Sequence, residues 1–531
     1  MIPPVAPFPR LRSPRWMLAR ILSIPLALAS CGLWAAPQPA RAQNSAPFAP
    51  RLHALRGGIH QIWPLSVSHC PNGGSDLLVL HSDGAPPQTR KWLTWMPCGS
   101  ALRPDDPSIV ERLLPDDAVV VDVASLPGRN GPQLVIASAA GLRIQSLGER
   151  DAAIAVPIPG GLPLPPRPWE IGRLELVDDW NDNGRPSVLV PALDGAWLVE
   201  LPSADVRRIP LPVYASYRTW NPFLPVTVWK WMIQEVTWPT IARADDNGDG
   251  RLDLFALSRW AIWIYHSGPD GLPSEPSRKL TLQPFDAETE RRHESTINNY
   301  FALDMNGDTL ADLMLSTIGG SLMDGRSTSR VHLNSGSGVS PDAEPDARRD
   351  REGGFSGFIF RDLDGDGREE LIETSIEFGI VQMIRVLITR RAETTVRVLR
   401  IDPEAENGLR TVFEDQFAFR LDFGEGATSD LVPGLGDWNG DGVSDLYVAR
   451  GSKEISFRLG SRTAGEPLFG SATGRQPIPI PSGESRVSDL DGDGLDEIIA
   501  FTDNDPEQPL VVLENLGRLP GTRPELRAPP D

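Results

Sequence analysis

Five segments of this chain carry carboxylates at one fixed spacing, D-x-[ND]-x-D-[GT]-x-x-[DE]. At positions 1, 3, 5 and 9 they place Asp245, Asn247, Asp249 and Asp253; Asp304, Asn306, Asp308 and Asp312; Asp362, Asp364, Asp366 and Glu370; Asp437, Asn439, Asp441 and Asp445; and Asp489, Asp491, Asp493 and Glu497. A sixth, weaker copy has Asp179, Asn181 and Asn183 but ends in Ser187. Alternate side chains of a tight loop point inward, so such oxygens can surround one ion. Calcium suits them, because it takes about six to eight oxygens at about 2.3–2.6 Å in a flexible shell. Glycine at position 6 permits the sharp bend, and in one copy Thr309 stands there instead. Position 7 offers only its carbonyl, so its side chain varies freely: Arg251, Leu310, Arg368, Val443 and Leu495. With three or four carboxylates crowded in each loop, mutual repulsion raises their pKa values unless a cation intervenes. The expectation is about five or six structural calcium ions.

One isolated Asp/Asn/Gly cluster would read as a turn; five copies in register do not. An EF-hand begins the same way but needs Glu at position 12 and flanking helices. Position 12 here is Ala256, Leu315, Glu373, Val448 or Ala500.

The elements around the loops read as short strands. Apolar, β-prone runs precede them (Tyr300-Phe301-Ala302-Leu303) and follow them (Leu254-Phe255-Ala256-Leu257, Ile498-Ile499-Ala500-Phe501). The loops recur with a period of about sixty residues. Two degenerate copies, ending at Asp76 and Gln133, sit upstream at the same spacing without enough oxygens for a metal. About four strands per repeat, with eight repeats, predict an all-β fold, a β-propeller of eight blades with seven as the alternative. The last loop is followed by only two clear strands, so the segment near Arg51–Leu55 is a candidate to close the ring.

The loops resemble those of FG-GAP repeats, found in the integrin α-chain propeller and in bacterial VCBS-repeat proteins. Val331-His332-Leu333-Asn334-Ser335-Gly336-Ser337-Gly338 also resembles the strand–turn element of VCBS repeats. The resemblance covers roughly residues 58–516 and departs from the family in the first two repeats, which have lost the loop. It implies that the ions are structural, sit in blade hairpins towards one face, and leave ligand binding to other surfaces.

Bulk composition sets limits. The formal charge is −20, which repels phosphate backbones and argues against nucleic-acid binding. Residues 1–42 read as an export signal, with Arg10, Arg12, Arg15 and Arg20 ahead of an apolar run from Ile21 to Ala36. Cleavage after Ala42 competes with a lipobox, Leu28-Ala29-Ser30-Cys31, which would place a lipid on Cys31 and anchor the chain to a membrane. Residues 43–57 read as a linker and candidate ring-closing strand, 58–516 as the propeller, and 517–531 as a Pro-rich tail expected to be disordered. Cys70 and Cys98 could pair in an oxidising compartment or remain two unpaired cysteines.

There is no G-x-S-x-G, H-E-x-x-H, P-loop or C-x-x-C, and the histidines show no ligand spacing. An aromatic insertion, residues 214–238, holds Tyr214, Tyr217, Trp220, Phe223, Trp229, Trp231 and Trp238. It is either an exposed contact patch or an outer strand packed on a neighbouring blade. The leading expectation is an exported, non-catalytic module that binds protein or polysaccharide at the bacterial envelope. The rivals are a polysaccharide lyase or hydrolase with a basic pocket near the ring axis, and a structural subunit of an envelope complex.

Overall fold

The computed structural model describes residues 46–148, 153–160, 162, 171–220, 231–282, 297–319, 325–377, 382, 385–386, 389, 391–420, 433–449, 454–463, 467–479 and 483–523. The signal region with Cys31, the tail beyond residue 523, and Phe223 and Trp229 of the aromatic insertion lie outside them.

Alternation of apolar and polar residues over short runs gives strands, and Gly-rich or Asp-rich segments turn them back. The result is eight blades, one per repeat, each built on four antiparallel strands. Their first and last strands are Gly58–Leu65 and Val110–Leu113 in blade 1, Val120–Ser125 and Ile154–Val156 in blade 2, Val177–Asp178 and Val206–Pro210 in blade 3, and Thr240–Ala244 and Arg278–Thr281 in blade 4. They are Ile297–Leu303 and Ala347–Glu352 in blade 5, Gly354–Arg361 and Leu409–Arg420 in blade 6, and Gly434–Gly436 and Thr473–Pro477 in blade 7. Blade 8 combines Glu484–Ser488, Glu497–Phe501 and Leu510–Asn515 with Phe48–His53 from the other end of the propeller sequence. Phe48 pairs with Asn515 and His53 with Leu510, so the outermost strand of the last blade comes from before the first. The chain is an eight-bladed β-propeller, and the seven-bladed alternative falls.

First strands of neighbouring blades abut, as Thr240–Ala244 does against Ile297–Leu303, and Glu484–Ser488 against both Gly434–Gly436 and Gly58–Leu65. They therefore form the inner ring. The core is divided among the seams between blades. Phe48, Trp438, Tyr447 and Phe457 fill the seam of blades 7 and 8, and Ile59, Leu77, Ile499 and Val512 that of blades 8 and 1. Blades 2 and 3 share a further device. Gly172–Arg173 runs parallel to the first strand of blade 2 as a short fifth strand, and the buried Asp122 accepts from Arg173 and from the N–H groups of Leu176 and Val177.

Two connections depart from the plain pattern. Tyr214–Trp220 pairs antiparallel with Trp231–Thr237 in a separate two-stranded sheet that belongs to no blade. Blade 6 has unusually long outer strands, Arg391–Ile401 and Leu409–Arg420.

Candidate functional site

Each acidic loop links the first and second strands of a blade. Positions 4 and 6 take positive φ in all five copies, for example Gly248 (74°) and Gly250 (79°), and Thr309 accepts the same conformation at 71°. That is a strained place for a β-branched residue. The bend aims backbone N–H groups inward. Gly248 and Gly250 both donate to the Asp245 carboxylate at 2.7 Å, Asp249 N–H donates to Asn247 Oδ1, and Arg251 N–H to Asp249 Oδ1. The loops starting at Asp304, Asp362, Asp437 and Asp489 repeat this network. Side chains at positions 1, 3 and 5 are thus preset by backbone bonds.

Position 9 lies at the start of the second strand and is buried in every copy. Its carboxylate accepts one N–H from position 2 and one from the end of the third strand: Asp246 and Ser267 for Asp253, Met305 and Asn334 for Asp312, Trp438 and Gly460 for Asp445, Leu490 and Asn515 for Glu497. Burial pushes Asp253 and Asp312 up to about 6, Asp445 to about 7 and Glu497 to about 9, and those backbone bonds offset it only in part. Carboxylate oxygens of Asp489, Asp491 and Glu497 come within 4.8 Å of one another, as do those of Asp362, Asp364 and Glu370. A dense, preset, oxygen-only donor set with buried negative charge fits a hard divalent cation.

The loops also join the blades. Ala311 N–H donates to Asp245 O, Glu369 to Met305 O, Ser444 to Leu363 O, Asp496 to Asp437 O and Ser75 to Asp489 O. All therefore lie at one end of the ring, in a chain of contacts running from blade 4 through blade 8 to blade 1.

Blades 1, 3 and 6 differ. In blade 1, Asp76 keeps the position-9 role, accepting from Ser68 and Cys98 N–H. No acidic loop precedes it; a Cys70–Cys98 disulfide ties the same two segments, with a Cα separation of 5.2 Å. In blade 3 the loop backbone is present, with Asn183 and Gly184 N–H on Asp179. Asn181, however, turns its amide to Arg207, Glu200 and Leu272 N–H, away from the loop. In blade 6, Arg400 bonds both Glu370 and Asp364. Reading along the chain missed Arg400 because it arrives from the third strand. Aligning the ends of the third strands across repeats would have singled it out.

The opposite end of the ring differs in construction. The strand pair Tyr214–Trp220 and Trp231–Thr237 follows Val206–Pro210, and the strands Arg278–Thr281, Glu370–Glu377 and Leu409–Arg420 end on this side too. The turns Leu193-Asp194 and Arg259-Trp260 lie here, with Leu193 and Trp260 among the exposed large apolar side chains. Between blades 5 and 6 a fully buried Glu373 meets Arg349, Arg351 and Arg397. Burial pushes its carboxyl up, but Arg349, Arg351 and the Ser356 hydroxyl hold it below the usual range. On the inner strands, Arg173 pairs with Asp122, Arg243 with Asp178 and Asp182, and Arg486 with Glu484, while Arg361 donates to Leu435 O.

No protein-family model matches the chain, and no curated protein matches it. Among solved structures, the chain is similar to an Agrocybe aegerita lectin that recognises non-reducing terminal N-acetylglucosamine. Identity is 14%, TM-score 0.36, and the match covers 80% of this chain and 92% of the lectin. A TcdB2-TccC3-Cdc42 assembly matches at 9% identity and TM-score 0.15, over 88% of this chain and 31% of that one. These superpositions are loose; the architecture stands on the strand pairing itself.

Proposed function

We propose that this chain is an exported, calcium-stabilised, non-catalytic propeller of the FG-GAP/VCBS kind that binds protein or polysaccharide at the cell envelope. Its contact surface is the end opposite the acidic loops. The observation that carries the reading is the asymmetry of the two ends. One consists of short acidic loops whose side chains are committed to their own backbone. The other carries the extra strand pair Tyr214–Trp220 with Trp231–Thr237 and the exposed Leu193 and Trp260. Calcium would be held by positions 1, 3, 5 and 9 and the carbonyl of position 7, and would supply charge neutralisation at buried carboxylates. The chain's residues do the rest: backbone N–H groups orient the ligands, and the loops couple each blade to the next.

The enzymatic alternative needs free cations converging near the axis. The described arginines of the inner strands are instead bonded to carboxylates or a carbonyl, which favours binding. Affinity electrophoresis through gels containing neutral and acidic polysaccharides, with parallel assays for new reducing ends and unsaturated uronates, tests the reading. Retention without product, weakened by Trp260→Ala, is expected. Product formation would replace the binding module by a lyase or hydrolase.

A further inference from the structure

We propose that the loop Asp362–Glu370 holds no divalent cation because Arg400 already takes the cation's place. This rests on the reading that the other acidic loops hold calcium.

Arg400 lies one step beyond the Leu371–Leu399 pair in the ladder of blade 6, directly across from Glu370 at position 9. Its Nε donates to Glu370 at 2.7 Å, and a terminal nitrogen donates to Asp364 at position 3. Those two carboxylates, with Asp362, are the group that converges within 4.8 Å. A guanidinium is planar, permanently charged and matched to paired carboxylates. A divalent ion entering the same oxygens would have to expel it or sit against its charge.

The same ladder position in the other acidic blades carries no such group. It is Leu333 in blade 5 and Leu459 in blade 7, one step beyond Leu313–His332 and Leu446–Arg458. In blade 8 it is Glu514, an acid, which Arg51 pairs from the outer strand. In blade 4 it is His266, whose Nε2 bonds Asp246 at position 2 rather than Asp253. Blade 6 alone among these brings a guanidinium onto positions 3 and 9. Its seam with blade 5 is also held internally, by Glu373 and its three arginines. Blade 6 is therefore built to keep its loop closed with no ion from outside.

Native mass spectrometry of the mature protein in excess calcium tests this. The expected count is one ion for each loop starting at Asp245, Asp304, Asp437 and Asp489, and none for that starting at Asp362. Arg400→Gln should gain one ion per chain. Asp362→Asn should leave the wild-type count unchanged, whereas Asp489→Asn should lose one. A wild-type ion for every acidic loop, a loss in Asp362→Asn, or a folded Arg400→Gln with no gain would each overturn the proposal. Should Arg400→Gln not fold, the Asp362→Asn and Asp489→Asn pair decides. A wild type with no calcium at all would instead overturn the underlying calcium reading.

Discussion

Glu373 shows how far a single side chain can be committed. Its carboxylate is buried among Arg349, Arg351 and Arg397, with Arg397 also on Glu414 and Arg351 also on Glu377. Removing one member of such a buried set leaves the others uncompensated, at a cost of about 3–5 kcal/mol. Glu373→Ala should lose about that much in urea unfolding; a loss within the ordinary scatter of surface substitutions would show that the arginines re-pair. His81 gives a pH signature. It is fully buried, its Nδ1–H donates to Arg56 O, and its Nε2 accepts from the Thr94 hydroxyl. That arrangement needs the neutral ring, and burial lowers its pKa accordingly. Unfolded, the ring protonates near its usual value of about 6.5. As pH falls through that value the unfolded state gains a proton that the folded state refuses, so stability drops. In saturating calcium, which on the proposed reading fixes the loop carboxylates, the slope of stability between about pH 7.5 and about 5.5 should be shallower in His81→Gln than in the wild type. Equal slopes would mean that His81 titrates normally when folded.

At the scale of elements, ring closure rests on Phe48–His53. Phe48 is buried and stacks on Phe457 at a centroid distance of 5.2 Å. Phe48→Ala should cost about 3–5 kcal/mol, and deleting the strand should expose the Leu510–Asn515 edge and cause self-association visible by size exclusion. In blade 1 the Cys70–Cys98 bond stands where other blades have an acidic loop. Cys98→Ser should cost about 2–4 kcal/mol in chemical unfolding, and wild type in reductant should match it. The blades and acidic loops were legible in the sequence because each ligand set is contiguous and recurs at a steady period. What sequence concealed comes from across the sheet. Arg400, His266 and Glu514 reach their loops from the third strand, and no local pattern announces them. Asn181 looked like a ligand because its spacing is right; Arg207, Glu200 and Leu272 redirect its amide, and all three lie outside the repeat motif. Glu373 was visible only as an acid at position 12 of a motif that did not apply.

The eight blades form a ring with two unlike ends, joined by seams of differing chemistry. Every seam has an apolar core, and ion pairs are added between blades 2 and 3 (Arg173–Asp122), 3 and 4 (Arg243 with Asp178 and Asp182), 5 and 6 (Glu373 with Arg349 and Arg351), and 6 and 7 (Arg458–Asp415). The proposed lipid on Cys31 would anchor the chain at the envelope. Cys31→Ser should move the protein from the membrane fraction to the soluble exported fraction and abolish incorporation of labelled fatty acid. An unchanged distribution would favour cleavage after Ala42. On the proposed reading, cations at the loop end hold the blades together. Thermal unfolding of the mature protein in excess calcium and in chelator tests it most directly. Each site saturated a hundredfold above its Kd contributes about 2.7 kcal/mol, so calcium should raise Tm by many degrees, chelator should abolish the gain, and added calcium should restore it. The same Tm in calcium and in chelator would contradict the account and leave the acidic loops as turns closed by their own backbone bonds.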